Sequence, residues 1–579
     1  LGHKEGLRCT YNHHEQASAM AAEAYARYSG RIAAVCVTTG PGGTNAITGV
    51  VGGWLDSIPM FVLSGQVKRE TTIWSCPELN LWQLGDQEFN IVQSVSNMTK
   101  YAVMITEPER IAYHLEKALF LAEDGRGGPV WLDIPLDVQG TMVETEELKH
   151  FDAQEEGLKQ RAEEMTRSVQ TEQSRNLEAA AQTILQKIRE AKAPLILVGT
   201  GVRLGKAETL LLKLIDKLRI PVVTAWNAND TVAWDNPFFA GMPGTVGTRP
   251  GNFAVQNCDL LLSLGCRLNI RMIGYNRFDF AKNAYKIIVD IDPVELQKPT
   301  ICPDMPVNAD VKELLEAMLK EEYQPQEQHE AWTAWCRDLV REYPAVLDSY
   351  HKVTGSLNPY VFMEKLFEQC SDDERIICGN GSACVITFQA CKIKQGQRMF
   401  TNSGCAAMGY GLPAALGVAV SDNSRRVVCI DGDGSVMMNI QELATIAYNH
   451  LNVKLLILNN DGYHSIRQTQ TNLFKPPFVG IDQESGIGFP DFGKLSEAFG
   501  LRYFCIRSEE DCDALLQEVL GCEEACICEV MLDPHQNFEP KSSSKVMPDG
   551  KIVSPSLDDM APFLDRDEFD KIHYPKSER

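Results

Sequence analysis

A chain of 579 residues is long enough for about three domains, each with its own apolar core. A formal net charge of -23 argues against nucleic acid or an anionic membrane as a general partner. No apolar run is long enough to span a bilayer and no signal-peptide pattern stands at the start, so the composition reads as that of a cytoplasmic protein. The 18 cysteines lie scattered through apolar contexts such as Val35-Cys36-Val37 and Val428-Cys429-Ile430, which predicts packed thiols rather than disulfides or zinc ligands.

In chain order, Asn12-His13-His14-Glu15-Gln16 leads directly into an alanine-rich helix, Gln16 to Tyr28. A buried strand, Ile32 to Thr38, follows, and a glycine turn from Gly40 to Gly43 opens the next helix. Glu15 has an ordinary reason to stand where it does, since an acidic side chain in the first turn complements the helix dipole. The chain turns polar and charged from Glu144 to Arg175, which places a boundary near Gln154. Ala193 to Val198 then makes a strand that runs into Gly199-Thr200-Gly201, with Gly205 beyond; this is near a dinucleotide fingerprint, but its third glycine comes one residue late. Strands at Ile220 to Thr224, Asp259 to Gly265 and Lys286 to Asp290 continue a Rossmann-like alternation. A second polar stretch, Glu321 to Glu330, precedes the third domain, where strand Arg375 to Cys378 ends in Gly379-Asn380-Gly381-Ser382.

The stretch from Arg425 to Asn460 carries the clearest chemistry. An apolar run, Val427 to Ile430, stops at Asp431-Gly432-Asp433-Gly434-Ser435, where glycines let backbone amides come close to an anion. A helix at Gln441 to Tyr448 and a buried strand at Val453 to Leu458 complete one βαβ unit. Both strands end in oxygen donors, Asp433 after the first and Asn459 and Asn460 after the second, and such a set beside a phosphate suits Mg²⁺. The competing reading is an ordinary βαβ unit with an Asp-Gly turn and an Asn-Asp-Gly turn. Beyond Pro534 the chain is rich in Pro, Ser, Asp and Lys, which predicts a tail with little core of its own, either a disordered end or a lid.

The Gly-Asp-Gly and Asn-Asn pair resembles the signature of thiamine-diphosphate enzymes. Thr38 to Asn45, Asp56 to Met60, Ser64-Gly65-Gln66-Val67, Gly128 to Pro135 and Met408 to Ala415 resemble the acetolactate synthase branch, in the same order along nearly the whole chain. The resemblance implies three consecutive doubly wound parallel-sheet α/β domains: a pyrimidine-binding domain at 1–154, a Rossmann-like middle domain at 176–322 and a diphosphate-binding domain at 345–535, with 536–579 as the tail. It also implies that an N-terminal strand and helix of the first domain precede what is seen here. Glu15 would activate thiamine diphosphate through its aminopyrimidine. Asp433, Asn460 and the Gly462 carbonyl would hold Mg²⁺; Gly434, Ser435 and Gly379, Asn380, Gly381 and Ser382 would face the diphosphate; and Met408 would set the bend of the cofactor.

By the same resemblance, His14, Gln66, Arg271, Ile466 and Thr469 are candidate substrate contacts, and FAD is a possible guest of the middle domain, with a vestigial fold as the alternative. Thr224-Ala225-Trp226-Asn227 departs from the flavin-holding loop of the synthases, Leu268-Asn269-Ile270 from the pattern beside their carboxylate-binding arginine, and Gly85 to Phe89 from their aromatic-Gln-Glu segment. Thr469 replaces a tryptophan that shapes their second-substrate pocket, so a different or larger acceptor is expected. The implied activity is decarboxylation of a pyruvate-like 2-oxo acid and transfer of the remaining unit to a second carbonyl, in a homodimer or homotetramer with the site between subunits. The alternatives are a 2-oxo acid decarboxylase, a hydrolase of cyclic diketones, or a non-catalytic subunit that keeps the fold.

Overall fold

The computed structural model describes residues 2, 4–154, 156–157, 177–352, 355–546 and 552–574. Most of the polar stretch read as the first linker therefore lies outside the described residues. Three all-parallel sheets carry the molecule, as expected for strands that read as continuous apolar runs and are covered on both faces. The first has the order β1-β2-β4-β3, from Ala34–Val37, Met60–Gln66, Tyr101–Met104 and Pro129–Pro135 numbered along the chain. The second, β6-β5-β7-β8-β9, is built from β5 Pro194–Val198, β6 Val222–Thr224, β7 Leu260–Leu264, β8 Tyr285–Asp290 and β9 Met305–Asn308.

The third sheet has the order β11-β10-β12-β13-β15-β14. Its strands are β10 Arg375–Cys378, β11 Arg398–Phe400, β12 Val427–Gly432, β13 Val453–Asn459, β14 Arg502–Ile506 and β15 Cys526–Met531. From β10 the chain runs first to β11 on one side and then crosses to β12 on the other. The crevice beyond the carboxyl ends of β10 and β12 is thus the switch point of the sheet, the place where open α/β sheets bind ligands. The middle sheet has its own switch between β5 and β7.

The first and third domains are locked by backbone packing. Helix α1, Glu15–Ser29, lies so close to the helix Gly411–Ser421 that a methyl group on Gly417 would sit 2.1 Å from the Ala21 carbonyl oxygen. Beside this contact, Glu23 accepts hydrogen bonds from Arg27 and from the Tyr410 hydroxyl (2.6 Å), and Arg27 also reaches Asp56 (2.7 Å). Helix α2, Pro41–Asp56, packs on α1 through Gly49, where an added methyl would meet Ala19 Cβ at 2.5 Å.

The tail has more structure than its composition suggests. Leu557 and Met560 are buried, the Tyr574 ring packs on Trp332 at 4.9 Å, and Arg249 donates to the Met560 carbonyl at 3.3 Å. Its few apolar residues are widely spaced and complete the core of the middle domain instead of forming one of their own. All 18 cysteines are free thiols. Among the described residues no helix is long and apolar enough to cross a membrane.

Candidate active site

The loop after β12 turns at Asp433, which opens a short helix, Asp433–Val436, followed by a 3-10 turn and the helix Glu442–Tyr448. The Asp433 carboxylate is buried and accepts from the amides of Gly434 (2.7 Å) and Gly462 (2.8 Å), so it joins the ends of β12 and β13. Burial pushes its carboxyl up to about 7, against the two hydrogen bonds that lower it. Asn460, also buried, donates to Ser382 Oγ at 3.0 Å and brings the end of β13 to the loop after β10. Gly462 has φ +115, and a Cβ there would lie 1.9 Å from the Ile481 carbonyl, so only glycine fits between Asp433 and that strand of loop.

The opposite wall is the helix Ser382–Ala390, entered through Gly381 at φ +67. Its N-terminus faces Ser465, the nearest group to a Cβ placed on Gly381, at 3.7 Å. Asn380 is turned inward and donates to the Ala407 carbonyl (2.6 Å), which fixes the residue before Met408. Met408 is 37% exposed, and Gly409 donates its amide to Ser435 Oγ at 3.0 Å. Gly379, Asn380, Gly381, Ser382, Met408, Asp433, Gly434, Ser435, Asn460 and Gly462 are therefore one constellation at the switch point. A buried carboxylate with no ion pair among the described residues, an amide side chain, a backbone carbonyl and a helix N-terminus form a donor set that fits a hard divalent ion holding a diphosphate.

Glu15 stands apart from this set. It occupies the first position of α1, is half-buried, and accepts from Asn45 Nδ2 at 3.1 Å, a contact within the first domain. His14 is its N-cap: Nδ1 accepts from the Gln16 amide at 3.0 Å. Gln66 is buried with both ends of its amide in use. Its Nε2 donates to Asp133 (2.9 Å) and to the Phe89 carbonyl (3.1 Å), while Oε1 accepts from Thr39 and Val67 (both 3.0 Å). Ile466 (43% exposed) and Thr469 lie on the exposed face of the helix His464–Thr469, with Ser465 beside them. Arg271 is exposed on the short helix Ile270–Ile273, with its guanidinium 5.1 Å from the Trp226 ring centre.

Four residues escaped sequence reasoning. Glu442, buried, accepts from the amides of His13 and His14 (both 3.0 Å) and from Thr445 Oγ1 (2.7 Å), so the third domain holds the start of α1. Asn439 donates to Gln16 Oε1 (3.0 Å) and to the Gly409 carbonyl (2.8 Å). Arg467 grips the Asn460 carbonyl at 2.9 Å. Asp431 is fully buried, with Oδ2 unpartnered and its carboxyl pushed up to about 7 by burial; Gly379 and Gly411 leave room for it, since methyl groups there would come within 2.0 and 2.6 Å of its oxygens. A charged residue on an otherwise apolar helix or strand was the available signal for Glu442 and Asp431.

A cavity of 1060 Å³ opens at the switch point of the middle sheet, lined by Gly201, Lys206, Trp226, Gly265, Arg267 and Asp290 among others. The glycines of the β5 turn serve close packing: a methyl on Gly199 would lie 2.1 Å from the Gly265 carbonyl. Lys206 and Arg267 make no ion pair among the described residues, so the cavity fits a nucleotide-sized anion in volume and in charge.

Three family models match the chain in the order of its sheets. They are the N-terminal TPP binding domain of thiamine pyrophosphate enzymes at residues 1–107, the central domain at 181–318 and the C-terminal TPP binding domain at 379–530. Among similar proteins, the acetolactate synthase large subunit of Porphyra purpurea is 30% identical over 91% of this chain and 85% of its own length. The large subunits of acetolactate synthase isozymes 1 and 2 of Escherichia coli (strain K12) are each 31% identical over 93% of this chain and 90% of their own. The chain belongs to the thiamine-pyrophosphate-dependent enzymes of the acetolactate synthase type.

Proposed function

We propose that the protein is a Mg²⁺-dependent carboligase that takes a pyruvate-like 2-oxo acid as donor and a second carbonyl compound as acceptor. The observation that carries this reading is the union of Asp433, Asn460, Gly462 and Ser382 at one switch point. Thiamine diphosphate, when bound, supplies the carbanion chemistry by which a 2-oxo acid loses CO₂ and its remaining unit joins another carbonyl. Asp433, Asn460 and the Gly462 carbonyl hold the metal, and the N-terminus at Ser382 with Gly434 and Ser435 holds the diphosphate. Met408, projecting from a turn pinned at Asn380 and Gly409, supports the cofactor between its two ends. Glu15 holds a proton at the aminopyrimidine end.

Glu15 and the metal residues belong to different subunits in this reading. Support comes from the confinement of the Glu15 contact to its own domain and from a loop that leaves Trp74, Leu79, Trp82 and Leu84 exposed, an apolar surface suited to a second copy of the chain. The middle cavity is the seat of FAD, with Lys206 and Arg267 toward its phosphates. The acceptor lies along Ile466 and Thr469, where the small polar side chain leaves space for a larger group than in the synthases.

Incubation of the chain with thiamine diphosphate, Mg²⁺, pyruvate and candidate aldehydes should yield a carboligation product; acetaldehyde alone would replace the ligase reading with a decarboxylase. Glu15→Gln and Asp433→Ala should each abolish turnover. Subunits of the two variants mixed and reassembled should regain up to about a quarter of the parental activity, because half the assemblies are mixed and each carries one intact site. Mixed subunits without activity, in an assembly shown to exchange, would mean that the site is completed within one chain.

A further inference from the structure

Two cations face each other without a counter-charge at the edge of the candidate site. Lys541, from the tail, is partly buried, its Nζ donating to Gln468 Oε1 at 3.3 Å and lying 6.0 Å from the Phe538 ring centre. Arg271 is its neighbour: burial and the nearby guanidinium both hold the Lys541 ammonium below its usual range. Neither makes an ion pair among the described residues, and the acid nearest in sequence to Lys541, Glu539, is turned to the Tyr350 hydroxyl at 3.2 Å.

The pair is held by backbone. Ser542 donates its amide to the Thr245 carbonyl at 2.7 Å, and Thr245 donates its own to the Arg271 carbonyl at 2.8 Å, so one residue sets the tail against the short helix Ile270–Ile273. Lys541 is further fixed by two bonds of 2.8 Å with Ala561. Beneath Arg271, Trp226 is 6% exposed and its indole N–H has no acceptor. Gln468, the side-chain partner of Lys541, belongs to the same helix as Ile466 and Thr469, which puts the pair beside the acceptor face.

Bringing two like charges together in a half-buried position is unfavourable unless an anion completes the set, and an unsatisfied donor beside them points the same way. We propose that Lys541 and Arg271 bind the phosphate monoester of a phosphorylated carbonyl acceptor. This rests on the carboligase reading above. A phosphate monoester carries close to two negative charges at neutral pH and offers three acceptor oxygens, enough for an ammonium, a guanidinium and an indole N–H. The tail then acts as a specificity element that closes one end of the acceptor site with charge.

Two measurements separate this inference from the reading it rests on. The first uses the full chain saturated with thiamine diphosphate and Mg²⁺ and follows tryptophan fluorescence during titration with inorganic phosphate at constant ionic strength. Saturable binding is expected, with the signal lost in Trp226→Phe, affinity lowered about tenfold in Lys541→Met, and affinity kept in Lys541→Arg. Phosphate affinity equal in the parent and Lys541→Met overturns the site whatever the enzyme does with pyruvate. The second compares glycolaldehyde phosphate with glycolaldehyde as acceptors for pyruvate. The preference in kcat/KM for the phosphorylated compound should fall about tenfold in Lys541→Met, through KM. An unchanged preference, or a dicarboxylate competing better than phosphate, overturns the assignment to a phosphorylated acceptor.

Discussion

Gly462→Ala tests whether the contact between β12 and β13 builds the metal site. A methyl group at this position lies 1.9 Å from the Ile481 carbonyl oxygen, and the residue must also keep φ at +115. A non-glycine residue in such a conformation costs ~1–3 kcal/mol. Relieving the overlap requires the Ile481 segment to move, although Tyr463 donates to the same carbonyl at 2.9 Å; overpacking of this kind costs a further ~1–3 kcal/mol. The strain falls on the loop between Asn460 and Asp482 and not on the sheet, because the β12–β13 ladder ends at Gly432 and Leu458. If the loop relaxes by turning the Gly462 amide away, Asp433 loses one of its two backbone donors and the carbonyl leaves the metal. Taking ~2 kcal/mol as the smallest cost, affinity for thiamine diphosphate in saturating Mg²⁺ should fall at least about thirtyfold, with far-ultraviolet circular dichroism unchanged. Titration calorimetry reads the affinity. Gly432→Ala is the control for the unliganded fold, since nothing lies within 4 Å of a Cβ there, and its melting temperature should match the parent. Cofactor affinity of Gly462→Ala within a factor of three of the parent would refute the reasoning.

Asp133 gives a pH signature in the first domain. It is 1% exposed, accepts from Ser64 and Gln66, and burial raises its carboxyl from 3.8 to about 6. The folded state thus holds the proton more tightly than the unfolded chain, so its contribution is complete below about pH 4 and is lost as pH rises through about 6. About two pH units at 1.36 kcal/mol each give a loss of ~3 kcal/mol. Asp133→Asn should therefore gain on the parent by several degrees in melting temperature between pH 4.5 and pH 8; an offset equal at both would show that Asp133 does not titrate there. For the middle cavity, FAD added to the full chain should bind with quenched flavin fluorescence, and Lys206→Gln with Arg267→Gln should weaken that binding about tenfold or more. A parent that takes up no flavin would remove FAD from the proposal.

Much of the candidate site was legible because its parts are local. The apolar run into Asp431-Gly432-Asp433-Gly434, and the second run into Asn459-Asn460, each declare a strand and its end within ten residues, and the observed strands are Val427–Gly432 and Val453–Asn459. The face bearing Ile466 and Thr469 follows from helical spacing alone. The contacts that were missed join distant parts of the chain: Glu442 with His13 and His14, Asn439 with Gln16, and Lys541 with Gln468 and the neighbourhood of Arg271. No periodicity carries such information, since a hydrogen bond spanning more than four hundred residues depends on how whole domains pack. Gln66 illustrates the converse. Its motif was visible, yet the structure commits its amide to Asp133, Phe89, Thr39 and Val67, an assignment that needs the register of β2 on β4, where Ser64 pairs with Asp133 and Gln66 with Pro135.

Glu442 also changes what the start of α1 is for. A glutamate at the first position of a helix is ordinarily free to move with a fraying turn, because the first four amides lack intrahelical partners. Here the amides of His13 and His14 are held by the buried carboxylate of Glu442, and Gln16 is held by Asn439, so the turn that carries Glu15 is clamped to the segment that follows Asp433. One rigid body therefore carries both the proton-holding carboxylate and the metal loop of the same chain. If two copies complete each other's sites about a two-fold axis, as proposed, the geometry of both sites is fixed by this one clamp and the interface angle. An error in the clamp would then displace Glu15 in the partner's site while leaving the metal loop of its own chain intact.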